Sequence, residues 1–247
     1  MACGADSGLD FTMDDVRETN IAVVDDFTNY YAKNEAAFDY HLYAPRTNGE
    51  AVPLVLALHG SGDQRNLQAN RVAEAWADPA NQEVRKAFVL APIFYDQSEE
   101  AAEKIFAQSI QLIRQLIDLG LVDGNRVYVT GKSMGGGNTG KIFSEYNGMF
   151  AAAMPLCGGF HEKIAGRIEN LRDKPIWILK GDGDSASLLE GSRNFYHTLK
   201  ELGNGQAKYF EYTVEEMDQA GIGYHDIEIL AMEDERFMEW MFDQTLE

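Results

Sequence analysis

Three residue types that can do acyl-transfer chemistry occur in a suggestive order along this chain: Ser133, Asp184 and His225. A serine hydroxyl is a poor nucleophile at neutral pH and needs a neighbouring base. A histidine base in turn needs a third group to fix its tautomer and stabilise the imidazolium. Ser133 lies in Gly131-Lys132-Ser133-Met134-Gly135, behind the β-branched run Val127–Thr130. Gly-x-Ser-x-Gly after a strand is the sequence form of a nucleophile elbow, a tight strand-to-helix turn that exposes the serine oxygen. Two histidines follow at a useful distance. His197 falls in a helix-like stretch and reads as a surface or packing residue. His225 sits in the glycine-flanked segment Gly221-Ile222-Gly223-Tyr224-His225-Asp226, where a catalytic base would enter. The acid is expected after the strand Ile176–Leu179, in Lys180-Gly181-Asp182-Gly183-Asp184. Asp184 is favoured there, and Asp182 is left to shape the turn.

Acyl transfer also needs donors aimed at the oxygen that becomes negative in the transition state. The backbone N–H of Met134 is one candidate. The loop His59-Gly60-Ser61-Gly62 should supply the other, from Ser61, with Gly62 as the fallback. His59 reads as a brace for that loop. Trp76, Phe94, Tyr95 and Tyr224 are candidate walls of a substrate site, with aromatic core packing the equal alternative for each.

These residues need elements to hold them. Short apolar runs at Leu54–Leu58, Phe88–Pro92, Val127–Thr130, Ala151–Leu156, Ile176–Leu179 and Tyr209–Val214 fit strands covered on both faces. Helical periodicity falls between them, most clearly over Glu99–Leu119, and also near 66–77, 134–147, 187–202 and 233–245. In an earlier segment Phe38, Tyr40 and Leu42 alternate with Asp39, His41 and Tyr43, which is period two. The alternation of strands and helices predicts an α/β class: one domain over 20–247, a mostly parallel central sheet, and helices on both faces. Residues 1–19 read as a flexible acidic tail. The short stretch between the strands near 154 and 178 leaves no room for a large cap, so the site should be open.

Composition narrows the function classes. The 247-residue chain carries 21 basic and 40 acidic residues, a formal net charge of −19, which opposes nucleic acid or an anionic membrane as a main partner. No apolar run approaches the roughly 20 residues that span a bilayer. Cys3 and Cys157 form no disulfide framework, and Cys157 reads as a small core residue. The start Met1-Ala2-Cys3-Gly4 has no hydrophobic signal segment; a cytoplasmic location is the default, with a trimmed bacterial lipoprotein or a secreted form as the alternative.

With these pieces in order, the chain resembles the α/β-hydrolases of the carboxylesterase, predicted-peptidase and polyhydroxybutyrate-depolymerase-like group. The resemblance rests on Leu56–Gly62, Phe88–Pro92, Gly131–Gly136, Pro155–Gly159, Gly181–Asp184 and Tyr224–Asp226, and spans about residues 50–245. It implies an α/β-hydrolase fold, a serine carboxylesterase acting on short acyl esters or on feruloyl or acetyl esters of carbohydrates, and neither metal nor organic cofactor. There are departures: the family's acid loop usually begins His-Gly where this chain has Lys180-Gly181, and Ser185-Ala186-Ser187 replaces the frequent Val-Pro after the acid. The alternative is a serine peptidase of the same fold. More distant rivals are a non-catalytic binding protein and a P-loop nucleotide binder, since Gly135–Lys141 matches Gly-x-x-x-x-Gly-Lys but continues with Ile142 instead of Ser or Thr.

Overall fold

A computed structural model describes residues 25–62, 67, 70–160, 164 and 166–246. The predicted N-terminal tail and the Met1–Gly4 start lie outside the described residues. Eight strands form one sheet: β1 Phe27–Tyr30, β2 Tyr40–Tyr43, β3 Val52–Leu58, β4 Phe88–Pro92, β5 Val122–Lys132, β6 Ala152–Leu156, β7 Ile176–Gly181 and β8 Ala207–Tyr212. Their order is β1-β2-β4-β3-β5-β6-β7-β8, with β1 and β2 antiparallel at one edge and the other six parallel. This is the mostly parallel sheet expected from the alternation.

The helices are α1 Arg71–Ala77, α2 Pro79–Val84, α3 Glu99–Asp118, α4 Met134–Glu145, α5 Ala186–Glu201, α6 Val214–Ala220, α7 Glu228–Glu233 and α8 Glu235–Phe242, with a 3₁₀ turn at Ile168–Leu171 between β6 and β7. Strand β3 shows why both faces must be covered. Leu54, Leu56 and Leu58 enter a core with Phe106, Ile113, Ile142 and Leu199 from α3, α4 and α5. Val55 and Ala57, pointing the other way, join a second core with Val72, Trp76, Phe237 and Met241 from α1 and α8. Successive strand residues face opposite sides, so an unbroken apolar run is what a doubly covered strand requires. The long helix α3 begins at the cap Ser98, whose hydroxyl accepts the Ala101 N–H at 3.3 Å, with Glu99 and Glu100 favourably placed in the first turn.

The period-two segment at 38–43 forms β2 over Tyr40–Tyr43, and all four residues are buried, with Tyr40 and Leu42 in one core and Tyr43 in the other. Of the helix read near 66–77, Arg71–Ala77 forms α1, capped by the Asn70 side chain, which accepts the Ala73 N–H, while 66, 68 and 69 lie outside the described residues. Among the described residues, no helix is long and apolar enough to cross a membrane.

Candidate active site

The candidates for chemistry gather over the carboxyl ends of the parallel strands, where ligands of open α/β sheets bind. Ser133 follows β5, the His59–Gly62 loop follows β3, Cys157 follows β6, Asp184 follows β7, and His225 lies in the segment between α6 and α7 beyond β8. Strands β4 and β5 flank β3 on opposite sides, which puts Ser133 beside the switch in strand order.

The elbow is held by close backbone packing. Ser133 has φ 58° and ψ −115°, a conformation that L-residues adopt only where the surroundings impose it. Its N–H donates to Leu156 O at 2.9 Å and its carbonyl accepts the Gly137 N–H at 3.0 Å. Helix α4 starts at once, and its first turn lies against the end of β3 so closely that a Cβ at Gly135 would strike the Leu58 carbonyl oxygen. Glycine inside a helix costs roughly 1 kcal/mol relative to alanine; here it is what lets the helix seat beneath the serine. The same placement disposes of the P-loop reading. Gly135–Lys141 forms the first turns of a helix wedged against β3 and β6, not a loop wrapped around an anion site.

The His225 segment is set by its own local signals. Helix α6 opens with a capping box between Thr213 and Glu216 and ends at Gly221, whose φ of 67° turns the chain back. The Asp226 N–H then closes a turn on Gly223 O at 2.8 Å. The segment lands on the end of β7, where a Cβ on Gly181 would lie 2.5 Å from Tyr224 O. Glycine at 181 is therefore a condition for bringing His225 to the acid.

These constraints join the three residues. His225 Nδ1–H donates to Asp184 Oδ2 at 2.7 Å, and the Ser133 hydroxyl donates to His225 Nε2 at 2.8 Å. A carboxylate on Nδ1 fixes the tautomer that leaves Nε2 as acceptor. Asp184 is also bonded by the Ser185 N–H on Oδ1 at 2.6 Å and by Lys180 Nζ on Oδ2 at 2.5 Å. Burial pushes the Asp184 carboxyl upward, but the donors Lys180, His225 and Ser185 outweigh it and hold the group below the usual carboxylate range. The rival acid Asp182 has no part in the chain: its N–H pairs with Tyr212 O at 2.9 Å, at the end of the β7–β8 ladder. His197 is exposed on α5.

His59 is the expected brace. Its Nε2 accepts the Phe94 N–H at 3.0 Å, so Nδ1–H donates to Gly60 O at 2.6 Å, and its ring packs edge-on against Phe94. This pins the start of the 59–62 loop to the end of β4. Gly60 in turn faces Ser133, with a Cβ there lying 3.5 Å from Ser133 Cβ. Ser61 and Met134 both line a cavity of about 810 Å³ that opens beside Ser133. Met134 is the first residue of α4, so its N–H has no acceptor within the helix.

The cavity is not lined by the four candidate wall residues, and Trp76 and Phe94 take the core-packing alternative. Trp76 is fully buried, stacked on Phe242 under the opposite face of the sheet, and Phe94 is buried between His59 and Phe106. Tyr95 is exposed but its hydroxyl is engaged by Asp39 at 2.7 Å, and Tyr224 covers Gly183 with its hydroxyl on Asp218 at 3.0 Å. None of the four lines the cavity, whose polar wall is Gln97, Ser98, Glu99, Asn138 and Lys141, and whose apolar wall includes Met134, Phe160, Ile164 and Leu188. Lys141 donates to Glu99 at 3.1 Å within that wall. Sequence reading missed these residues; the one available signal was that Asn138 and Lys141 lie one turn and two turns beyond Ser133 on its own helix.

Metal-ligating types also meet here, since donor atoms of Cys157, Asp184 and His225 lie within 4.8 Å of one another. Cys157 is a poor partner in such a set. Burial pushes its thiol up to about 12, against the pull of Lys180, whereas a metal binds the thiolate.

Residues 38–168 match the family model described as esterase PHB depolymerase. The chain belongs to that family. A crystal structure of a thermostable esterase is 34% identical, with a TM-score of 0.78 over 91% of this chain and 64% of its own. A bifunctional acetylxylan esterase/xylanase of Neocallimastix patriciarum is 29% identical over 63% of this chain. The match occupies only 23% of that relative, so the chain corresponds to one part of a longer protein there. A ferulic acid esterase structure, 16% identical with a TM-score of 0.65 over 88% of this chain and 97% of its own, shares the fold.

Proposed function

We propose that this chain is a serine carboxylesterase that hydrolyses carboxylic esters through an acyl-serine intermediate on Ser133. The observation that carries the reading is the continuous hydrogen-bond chain from Asp184 through His225 to Ser133, with the serine on a strained elbow at the mouth of a cavity. Family membership and the esterase relatives support it. His225 Nε2 takes the hydroxyl proton as Ser133 Oγ attacks the ester carbonyl. Asp184, ionised, stabilises the imidazolium that forms. The N–H groups of Met134 and Ser61 receive the oxyanion. The tetrahedral adduct collapses as His225 returns the proton to the leaving alcohol, and water, activated by the same imidazole, releases the acid.

For the substrate we favour short acyl esters or acetyl and feruloyl esters on carbohydrates. The polar wall of Gln97, Ser98, Asn138 and the Glu99–Lys141 pair suits hydroxyl-rich groups, and the acetylxylan and ferulic acid esterases among the relatives agree with that choice. The chain's own residues suffice for every step, so no cofactor is assigned. The deciding experiment is treatment with a fluorophosphonate followed by peptide mass analysis. A single adduct on Ser133, absent in Ser133→Ala, is expected, together with loss of ester turnover by about 10⁴-fold or more in that variant. An unmodified Ser133 in folded protein overturns the reading. Rates on a p-nitrophenyl ester against an aminoacyl anilide separate esterase from peptidase.

A further inference from the structure

We infer that Lys180, a lysine wholly buried at the end of β7, is a positioning residue whose ammonium charge sets the pH range in which His225 works. This rests on the roles proposed above for Asp184 and His225. Two donors meet on one oxygen: Lys180 Nζ at 2.5 Å and His225 Nδ1 at 2.7 Å, both on Asp184 Oδ2. The Lys180 side chain is 0% exposed and that of Asp184 6%. A lysine that deep is costly unless its charge is met by an opposite charge, and the bonded counter-ion here is the carboxylate that supports the histidine. Lys180 therefore leaves Asp184 as one half of a neutral pair instead of a bare negative charge. The imidazolium of His225 faces a weaker negative field than it would beside Asp184 alone, which favours the free base and leaves the transition-state imidazolium less stabilised.

Other charges near the pair are already engaged. On β8, Glu211 is the register partner of Lys180, but its carboxylate is held by Arg193 of α5 at 2.6 and 2.7 Å and by the Tyr209 hydroxyl at 2.6 Å. At the end of β5, Lys132 is paired with Asp226 and Glu228 at 2.5 and 3.1 Å. Cys157 at the end of β6 is a protonated thiol. Asp182, next along the β7 loop, has its Oδ1 buried with no hydrogen-bond partner and does not contact Lys180 or His225 by hydrogen bond. Lys180 is thus the cation in direct contact with the acid.

The test is the pH dependence of kcat/KM on p-nitrophenyl acetate, run in parallel with the pH dependence of fluorophosphonate labelling. Lys180→Met removes the charge and keeps the stem. Its acid limb should move to higher pH by about one unit, the scale expected for a unit charge two hydrogen bonds away in a partly solvated site. Lys180→Gln, which keeps a donor, should move the limb in the same direction and stands in if the Met variant fails to fold. Lys180→Arg, keeping the charge, should leave the limb in place. A folded neutral variant whose rate falls equally at all pH values, with its limb unmoved, overturns the inference and leaves Lys180 a structural residue. An equal shift in Lys180→Arg also overturns it. Failure of the wild-type protein to label at all counts against the Ser133 reading instead, so the two outcomes stay distinct.

Discussion

The two sides of Ser133 are built by different means. On the acid–base side, each polar atom that matters is fixed by a short bond from an element with its own reason to be there. Gly221 turns the chain, Gly181 admits it, Lys180 and Ser185 hold Asp184, and Lys132 ties the elbow to Asp226 and Glu228. Burial would push the Lys132 ammonium toward neutrality, but those two carboxylates outweigh it and raise the group above its ordinary value, so the tie persists as a charged one. On the cavity side, the wall beyond the His59 brace is held by isolated polar contacts. Ser61 reaches Gln97 at 3.2 Å and Lys141 reaches Glu99 at 3.1 Å, while the remaining wall is the surface of α4, the start of α5 and Phe160 and Ile164 after β6. One side is over-determined by charge and close packing; the other is shaped by side chains that can change with little effect on the sheet. Reaction type should therefore be hard to alter by mutation, and substrate preference comparatively easy.

The sharpest break in that contrast is Asp184→Asn. The amide retains size and bonding capacity, but no longer compensates the imidazolium and can stabilise the wrong tautomer of His225. The expected loss is about 10³ to 10⁴ in kcat with KM nearly unchanged. A drop below tenfold in a folded variant would mean that another carboxylate supports His225.

Changes on the cavity side should read out in the other kinetic parameter. Lys141→Met removes the Nζ that bonds Glu99 and leaves an apolar wall beside Asn138. With p-nitrophenyl acetate, too small to reach that wall, kcat/KM should stay within about twofold. With an acetylated oligosaccharide, KM should rise about three- to tenfold, the worth of one or two hydrogen bonds to a sugar. Equal effects on both substrates would place Lys141 outside the recognition surface.

The same contrast governs how much of the molecule is legible in its amino-acid sequence. The strand run Phe88–Pro92 is β4 residue for residue, because a doubly covered parallel strand needs continuous apolar residues and nothing else. Ser133, Asp184 and His225 are legible because elbow, turn and loop each carry glycines, the first two directly after strands and the third after the glycine-terminated helix α6, so local chemistry reports a long-range meeting. Trp76 and Phe94 are not, since an aromatic residue carries no mark of which face of a sheet it will join. Lys180 stands out only as a departure from the family's pattern. Its pairing with Asp184 spans four residues, but on a strand end and turn, where helical i,i+4 rules do not apply. Among the short elements, α2, α6 and α7 have too few turns for a periodic signal, whereas α5 and α8 fall where the periodicity near 187–202 and 233–245 places them.

The smallest effect concerns His59, which anchors the cavity side through a neutral ring. Burial holds its imidazole below the ordinary histidine value, against a smaller upward pull from its bond to Gly60, and burial does the same for His41 nearby. A group whose pKa is lower folded than unfolded binds its proton preferentially in the unfolded chain. The stability it permits is intact above the unfolded value of about 6.5 and is lost as pH falls below it. Urea unfolding of the wild type between pH 8 and 5 should therefore show ΔG falling through the acidic half of that range. His59→Gln, which can still accept the Phe94 N–H, should be less stable at pH 8, since its fit beside Gly60 is poorer. Its slope below pH 6.5 should be shallower by up to one proton, about 1.4 kcal/mol per pH unit. Parallel slopes in the two proteins would show that His59 protonates in the folded state without disturbing the loop. The cavity side would then tolerate a charge at its anchor, and the contrast with the tightly paired acid–base side would rest on Lys180 and Asp184 alone.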